Sequence, residues 1–271
     1  NLQNGPLVDA FVWFDLHLQG TTAGNGEFDS NEQSQRTDED GNFSLSASAA
    51  DISNGFTIVS ITDDRTVDKA TGAAYGAGFT FKAPQDASVV SPNTTLVESM
   101  MRHNTALTLD EAVEKVATSL GITTGVDFLN FDAYADQSTM TDEEKDTAHS
   151  VKQANNTVMA VIKTFAAAAN GSGLTEEDAL DVSIGALLET VISSGEEIDF
   201  SSDSAQMVAI KTKLKSDAAA KALETDVTLN EAQFEAVLDS AAKSVANVVT
   251  LITATDKGST EEELADLFST V

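Results

Sequence analysis

The residues of this chain best suited to chemistry form an acidic, oxygen-rich segment near the N-terminus. Downstream of Asp15 the chain runs through Asn25-Gly26-Glu27-Phe28-Asp29-Ser30-Asn31-Glu32. Calcium is a hard cation that takes about six to eight oxygen ligands, and known calcium loops use a glycine for a sharp turn and a later glutamate that chelates with both oxygens. Gly26 and Glu32 have the separation that such a loop requires. The segment therefore predicts a calcium-binding loop.

The predicted ligands combine side-chain oxygens with one peptide oxygen, as calcium prefers. The first half of the loop departs from the known pattern, because His17 stands where a second oxygen ligand is expected and residues 18–23 look inserted. We expect the metal to be bound by Asp15, Asn25, Asp29, Glu32 and the backbone carbonyl of Glu27.

A second acidic turn follows at residues 37–42. If this turn lies within hairpin reach of the loop, Asp38 and Asp40 could complete the calcium shell. The alternative is that both segments are ordinary turns, in which Asp and Asn side chains bond to their own backbone. The sequence leaves this choice open.

The charge of the chain restricts its partners. It contains 44 acidic and 15 basic residues, for a formal net charge of −29. Affinity for nucleic acid depends on cationic side chains that neutralise phosphates, so neither nucleic acid nor an anionic membrane surface is an expected partner. Cations are expected partners. The other interpretation, compatible with the first, is a salt-adapted surface that keeps the protein soluble.

Composition excludes several further classes of site and membrane segment. The chain has no cysteine, which rules out disulfides and thiolate metal sites. No apolar run reaches the roughly 20 residues that span a bilayer, so we expect no membrane insertion. Residues 1–4 lack an initiator Met and a signal pattern, and we expect a processed or truncated start.

No enzymatic site is expected. The histidines are His17, His103 and His149, and none lies in a spacing that would bind zinc. Neither a Gly-x-Ser-x-Gly elbow nor a phosphate loop after a strand is present. Acidic clusters such as 176–178 stand at helix starts, where they complement the helix dipole.

The chain before Pro84 has the pattern of strands. We predict strands over residues 8–15, 43–46, 56–61 and 78–81, with residues 33–37 paired to 43–46 as a hairpin. Short strands split by Gly and Asp turns are typical of an antiparallel sandwich. We therefore predict an immunoglobulin-like or transthyretin-like β-sandwich over residues 1–85.

The chain after Pro84 has the pattern of helices. Ser91-Pro92 predicts a helix start, because serine caps the first turn and proline suits the position that follows. Five Thr-x-x-acid capping signals begin at Thr108, Thr141, Thr175, Thr228 and Thr260. Helix stops are predicted at Gly121, Asn170-Gly171, Gly195 and Gly258. We predict six or seven helices packed as an acidic, alanine-rich bundle over residues 90–271, which gives an α+β fold with two domains.

Two apolar stripes support the bundle. One consists of Val151, Ala154, Val158, Val161, Ile162, Phe165 and Ala169, and the other of Val237, Ala241, Val245, Val248, Val249 and Ile252. Such stripes are typical of a bundle core, and the alternative is a surface that awaits a partner.

Three segments together carry a resemblance to a known family: residues 5–15, the loop that ends at Glu32, and residues 37–43. They resemble calcium-binding sandwich repeats of bacterial surface proteins, namely the B-type repeats of serine-aspartate adhesins and the carboxypeptidase-regulatory-like domains. Residues 68–97 and 119–132 are similar to large secreted proteins of marine bacteria, in which such a segment leads into alanine-rich helices. The resemblance implies export, calcium-stiffened modules and a structural or adhesive role without catalysis.

These expectations converge on an extracellular function. We expect a secreted or cell-surface structural subunit that assembles with copies of itself into a filament, sheath or surface matrix. The alternative is an adhesin module that binds a glycan or a host surface. Because only residues 1–4 precede Gly5, the sheet is expected to have an open edge that accepts a strand from another copy; the alternative is a monomer cut from a longer chain.

Overall fold

The structure, a computed structural model, describes residue 2 and residues 6–18, 24–76, 78–123 and 125–255. Within these residues the strands are β1 (Leu7–Val8), β2 (Phe11–Leu16), β3 (Ser34–Arg36), β4 (Phe56–Ile61), β5 (Val67–Asp68) and β6 (Thr80–Pro84). The helices are α1 (Ala49–Asn54), α2 (Pro92–His103), α3 (Leu109–Ser119), α4 (Asp142–Asn170), α5 (Glu176–Ser193), α6 (Ala205–Glu224) and α7 (Glu231–Thr253). The predicted order of an antiparallel β region followed by a helical region is confirmed.

The described strands form two antiparallel sheets. One sheet has four strands in the order β3-β2-β4-β6, and the other pairs β1 with β5. The register of the larger sheet places Asp15 of β2 directly opposite Thr57 of β4. These pairings do not establish two sheets packed face to face, so the β-sandwich stays a prediction.

The strand predicted over residues 8–15 is divided into β1 and β2. Asp9 has a φ of 60°, in the left-handed region that breaks an extended strand and that aspartate tolerates better than most residues. The prediction of β4 is confirmed, because residues 56–61 form that strand as expected. β6 begins and ends slightly later than predicted.

The predicted hairpin between residues 33–37 and 43–46 is wrong. Residues 43–46 form no strand, and the amides of Ser44 and Ser46 donate instead to the side-chain oxygens of Gln35 and Gln33, at 2.9 and 3.3 Å. Side chains therefore take the place of the backbone ladder on this side of β3.

Helix α2 begins at the predicted Ser91-Pro92 signal and lies against the sheet. Ser91 caps the helix, and Thr94 and Thr95 follow in its first turn. The hydroxyl of Thr95 accepts from the amide of Lys82 at 2.9 Å, and the hydroxyl of Thr94 donates to the carbonyl of the same residue at 2.8 Å. The two threonines thus give both backbone groups of Lys82, at the outer edge of β6, a hydrogen-bond partner.

Most of the predicted helix starts are confirmed. Thr108, Thr141 and Thr175 accept hydrogen bonds from the amide three residues later, as capping requires. The Thr228 signal is wrong, because Asn230 caps α7 and its side chain accepts from the amide of Gln233. The signals at Thr260 and Gly258 lie outside the described residues.

The contacts divide the chain into two compact units. The first contains residues 1–116 and 122–155, and the second contains residues 117–121 and 156–271. In this division the first unit continues past residue 85, because α2 packs on β6 within it. Whether residues 1–85 and 90–271 fold as separate domains stays a prediction.

The helices after residue 155 are held by apolar faces, and both predicted stripes contribute to them. All members of the α4 stripe are buried. In the second stripe Val237 and Val249 are half-buried, and α7 buries Phe234, Leu238, Ala241, Ala242, Val245, Val248 and Ile252. Among the described residues, α7 is also the one helix whose length and composition would suit a membrane span, a test that core helices pass as well. The prediction of no membrane insertion is not changed by this.

Candidate metal centre

The acidic loop begins at a buried carboxylate. Asp15 lies near the end of β2 and is fully buried. Its Oδ2 accepts a hydrogen bond from the amide of Gly26 at 3.1 Å and lies 3.6 Å from Nη2 of Arg102. Its Oδ1 is buried and has no hydrogen-bond partner within the part of the chain that the structure describes. Among the described residues, one oxygen of this buried carboxylate is therefore without a partner.

The loop backbone closes tightly over that carboxylate. A Cβ atom at Gly24 would lie 1.8 Å from Oδ1 of Asp15, so no residue with a side chain fits there without movement. Gly26 has a φ of 80°, in the left-handed region that favours glycine. The predicted role of Gly26 in a sharp turn agrees with this conformation.

Glu32 closes the other side of the loop. It is 9% exposed, its Oε1 accepts from the amide of Leu16 at 2.7 Å, and its Oε2 accepts from the amide of Asp29 at 2.9 Å. Both carboxylate oxygens, predicted to chelate calcium, are therefore bonded to the backbone of the loop.

The remaining predicted ligands are on the surface of the loop. The side-chain Nδ2 of Asn25 donates to Oδ2 of Asp29 at 3.0 Å, and its side-chain Oδ1 accepts from the backbone amide of Glu27 at 2.9 Å. All three residues are exposed. The structure thus links Asp15, Asn25, Glu27, Asp29 and Glu32 within one loop.

The structure does not bring Asp38 and Asp40 to this loop. Arg36 of β3 pairs with Phe11 at the start of β2, whereas Asp15 lies near the end of that strand. Asp38 and Asp40 therefore lie beyond the opposite end of the hairpin, and the structure does not bring them to the Asp15 loop. Oδ1 of Asp38 accepts from the amides of residues 40 and 42, as the alternative of an Asx turn predicts.

A buried polar cluster connects Asp15 to helix α2. Glu98 is 6% exposed, and its Oε1 accepts from the hydroxyl of Thr57 at 2.8 Å and from Nε of Arg102 at 2.9 Å. Nη2 of Arg102 also donates to the hydroxyl of Thr57 at 3.2 Å. Sequence reasoning missed Glu98 and Arg102. Their four-residue spacing at the end of a capped helix was the available signal.

His17 lies at the rim of the same cluster. Its Nε2 is 3.4 Å from the hydroxyl of Thr57, and its ring leaves no room for a side chain at Gly55. Burial lowers the pKa of His17, and the guanidinium of Arg102 lowers it further against the carboxylates of Glu98 and Asp15. The neutral ring is therefore favoured near neutral pH.

The fit to calcium can be judged from these contacts. The donor set is rich in oxygen, and the unpartnered Oδ1 of Asp15 is the kind of atom that a bound cation would satisfy. Against this, no group of three or more His, Asp or Glu side chains converges among the described residues. A calcium ion here would need Asp15 as its one buried carboxylate and further oxygens from the exposed part of the loop or from water.

Comparison with known proteins adds no relative. No family model, curated protein or solved structure matches the chain. The resemblance to calcium-binding surface repeats therefore stays an expectation.

Proposed function

We propose that this chain is an exported, non-enzymatic structural protein whose acidic loop binds Ca²⁺ at Asp15 and whose copies assemble into an extracellular filament, sheath or surface matrix. The proposal includes the β-sandwich arrangement of the N-terminal strands. The observation that carries it is the buried Oδ1 of Asp15, which has no hydrogen-bond partner among the described residues. A buried carboxylate oxygen without a hydrogen bond is costly unless something else binds it.

The charge of the chain supports a cation as that ligand. A net charge of −29 raises the local concentration of cations and repels anionic partners. Asn25, Glu27 and Asp29 keep their oxygens at the surface of the loop, next to the buried anchor. Binding of a divalent ion would also reduce the repulsion between copies.

Calcium titration of the full chain tests the metal site. Because a ligand that binds only the folded state stabilises it by mass action, calcium at a hundredfold excess over its Kd should add about 2.7 kcal/mol to the free energy of unfolding. Asp15→Asn should remove this gain. Asp38→Asn is the matched control, because that carboxylate lies at the other end of the hairpin, and it should keep the gain. Equal melting temperatures with calcium and with chelator would reject the site.

An unpaired sheet edge supports assembly. In the larger sheet, β6 is covered at Lys82 by the α2 threonines. On the far side of β3, residues 44 and 46 bond to glutamine side chains of that edge, and no strand pairs with the β3 backbone there among the described residues. The carbonyl of Gln33 accepts from the amide of Phe14, and the amide of Thr37 donates to the carbonyl of Ala10, so both residues bond to the β2 side. Because successive residues of a strand direct their backbone groups to opposite sides, the amide of Ser34 points away from β2. An unpaired edge of this kind accepts strands from other chains.

Sedimentation with millimolar calcium tests the assembly. Ser34→Pro removes the outward amide and should abolish polymers, whereas Ser34→Ala keeps that amide and should preserve them. Dispersed monomers of the unchanged protein at every concentration would reject the polymer and favour the adhesin.

The adhesin alternative finds less support in the structure. Sugar binding usually uses exposed aromatic faces, and Trp13 is only 3% exposed. Phe28 is 44% exposed, but its ring packs edge-on against Phe11 at a centroid distance of 5.1 Å. These ring contacts pack the loop against β2, which explains Phe28 better than a sugar-binding platform does.

A further inference from the structure

We propose that Arg102 is a built-in competitor for the Asp15 carboxylate, so that calcium must displace a guanidinium in order to bind. This inference rests on the proposed calcium site and concerns its regulation. Nη2 of Arg102 lies 3.6 Å from Oδ2 of Asp15, the oxygen next to the unpartnered Oδ1. The guanidinium and the ion would therefore be neighbours on one buried carboxylate.

The charges of the cluster give the direction of the effect. Asp15 and Glu98 are two buried carboxylates, and Arg102 is the one cation that contacts them among the described residues. Arg102 already balances part of the negative charge on Asp15, and a divalent ion bound to the same carboxylate would lie beside the guanidinium. Like charges a few ångström apart in a partly buried site repel strongly. Arg102 therefore weakens calcium binding.

Arg102 is placed so that it can leave Asp15 without unfolding the protein. It occupies the last turn of α2, next to the final residue of that helix, and its side chain is 26% exposed. The hydrogen bond to Glu98 is made by Nε, while Nη2 is the atom near Asp15. Rotation of the guanidinium could give up the Asp15 contact and keep the Glu98 bond. Occupation of the loop would thereby be coupled to the end of α2, and the coupling would be reciprocal.

Calorimetric titration with calcium, using the full chain with its metal removed, tests the inference. Arg102→Gln should bind calcium at least about tenfold more tightly than the unchanged protein, because the competing charge is gone. Arg102→Lys keeps the charge and should stay within about threefold of the unchanged protein. Equal or weaker binding by Arg102→Gln would overturn the proposal.

A double variant covers the case in which Arg102→Gln does not fold. Glu98→Gln with Arg102→Gln removes the ion pair together, which avoids a buried carboxylate without its partner. It too should bind more tightly than the unchanged protein, and a failure to do so would overturn the inference.

The outcomes separate this inference from the calcium proposal. If the unchanged protein gives no heat and Arg102→Gln binds, the competition is supported and the native calcium function fails. If no variant binds, both fail. Hydrogen exchange gives a second readout, because calcium should speed exchange in the last turn of α2 and leave the start of that helix unchanged.

Discussion

The two compact units of this molecule differ in how many buried polar side-chain atoms lack a hydrogen-bond partner among the described residues. In the sheet-bearing unit, the buried side-chain atoms without a hydrogen-bond partner among the described residues are Trp13 Nε1, Asp15 Oδ1, Ser60 Oγ, Asn93 Oδ1 and Asn155 Nδ2. In the helical unit the corresponding atom is Thr164 Oγ1. Each such atom costs about 1–3 kcal/mol when left without water or ligand. The sheet-bearing unit therefore carries most of this cost.

In the helical unit, buried hydroxyls of α5 bond within their own helix. Ser183 donates to the carbonyl of Ala179 at 2.7 Å, and Thr190 donates to that of Ala186 at 3.1 Å, both within α5. Such bonds need no distant partner. The polar cluster around Asp15 instead joins residues that are distant in the chain, because Arg102 of α2 contacts both Asp15 of β2 and Thr57 of β4. Proteins tolerate departures from polar satisfaction mainly at functional sites, which is why we place the function in the first unit.

The largest expected effect tests whether the helical unit depends on apolar packing alone. Phe234 of α7 is 2% exposed. Phe234→Ala should lower the free energy of unfolding by about 4 kcal/mol, because it removes buried apolar area and leaves a cavity. Urea unfolding measures the change. Leu251→Ala, at a position 48% exposed on the same helix, is the control and should cost much less. Equal losses would show that α7 is not packed as described.

The next effect tests whether the sheet-bearing unit depends on its buried charges. Arg102→Met should destabilise the metal-free protein by about 3 kcal/mol, because it leaves Glu98 and Asp15 buried without their cation. Lys213→Met removes a half-exposed ion pair to Asp217 in α6 and should cost less than about 0.5 kcal/mol. Similar losses in the two variants would remove the contrast between the units. Calcium should restore part of the loss in Arg102→Met alone.

Local signals in the sequence predicted much of the fold. The strand pattern of residues 56–61 predicted β4, and the Thr-x-x-acid signals predicted three helix starts, because both patterns depend on neighbours within a few residues. The helix start predicted at Thr228 was wrong because Asn230, two residues later, caps the helix instead. The prediction of a strand over residues 43–46 was wrong because the amides of Ser44 and Ser46 donate to glutamine side chains. A strand pattern in the sequence does not reveal such bonds.

The candidate site was predictable in part for the same reason. Asp15, Gly26 and Glu32 belong to one loop, so their spacing predicted their proximity. Asp38 was misplaced because its position depends on strand register, which the loop motif does not encode. Glu98 and Arg102 could not be connected to Asp15 from sequence, because that contact depends on how α2 packs on the sheet.

A smaller effect sharpens the role of loop closure. Gly24→Ala should destabilise the first unit by about 2 kcal/mol, because the new Cβ would overlap the Asp15 carboxylate and force the loop away. The stabilisation by calcium should be lost as well. Gly195→Ala, where a Cβ would meet nothing within 4 Å, is the control for the loss of glycine itself. A Gly24→Ala protein with unchanged melting temperature and unchanged calcium response would show that the loop is not closed on Asp15.

The smallest expected effect concerns pH and separates the exposed charges of the first unit from its buried ones. Asp63 lies beside Arg36, and the hydrogen bond from that guanidinium holds the pKa of the carboxyl below its usual range. A carboxyl with a lowered pKa in the folded state contributes stability that is present above the ordinary aspartate range and is lost as the pH falls through the folded-state pKa. Asp63→Asn should therefore reduce stability at neutral pH and have little effect below pH ~3. Because the Asp63 side chain is 37% exposed, the loss should stay below about 1 kcal/mol.

Melting curves across the acid range for this variant and for the neighbouring Asp64→Asn measure the difference. If Asp63→Asn lowered stability as strongly as Arg102→Met, an exposed pair would be worth as much as the buried cluster, and burial could no longer explain why the charges around Asp15 matter.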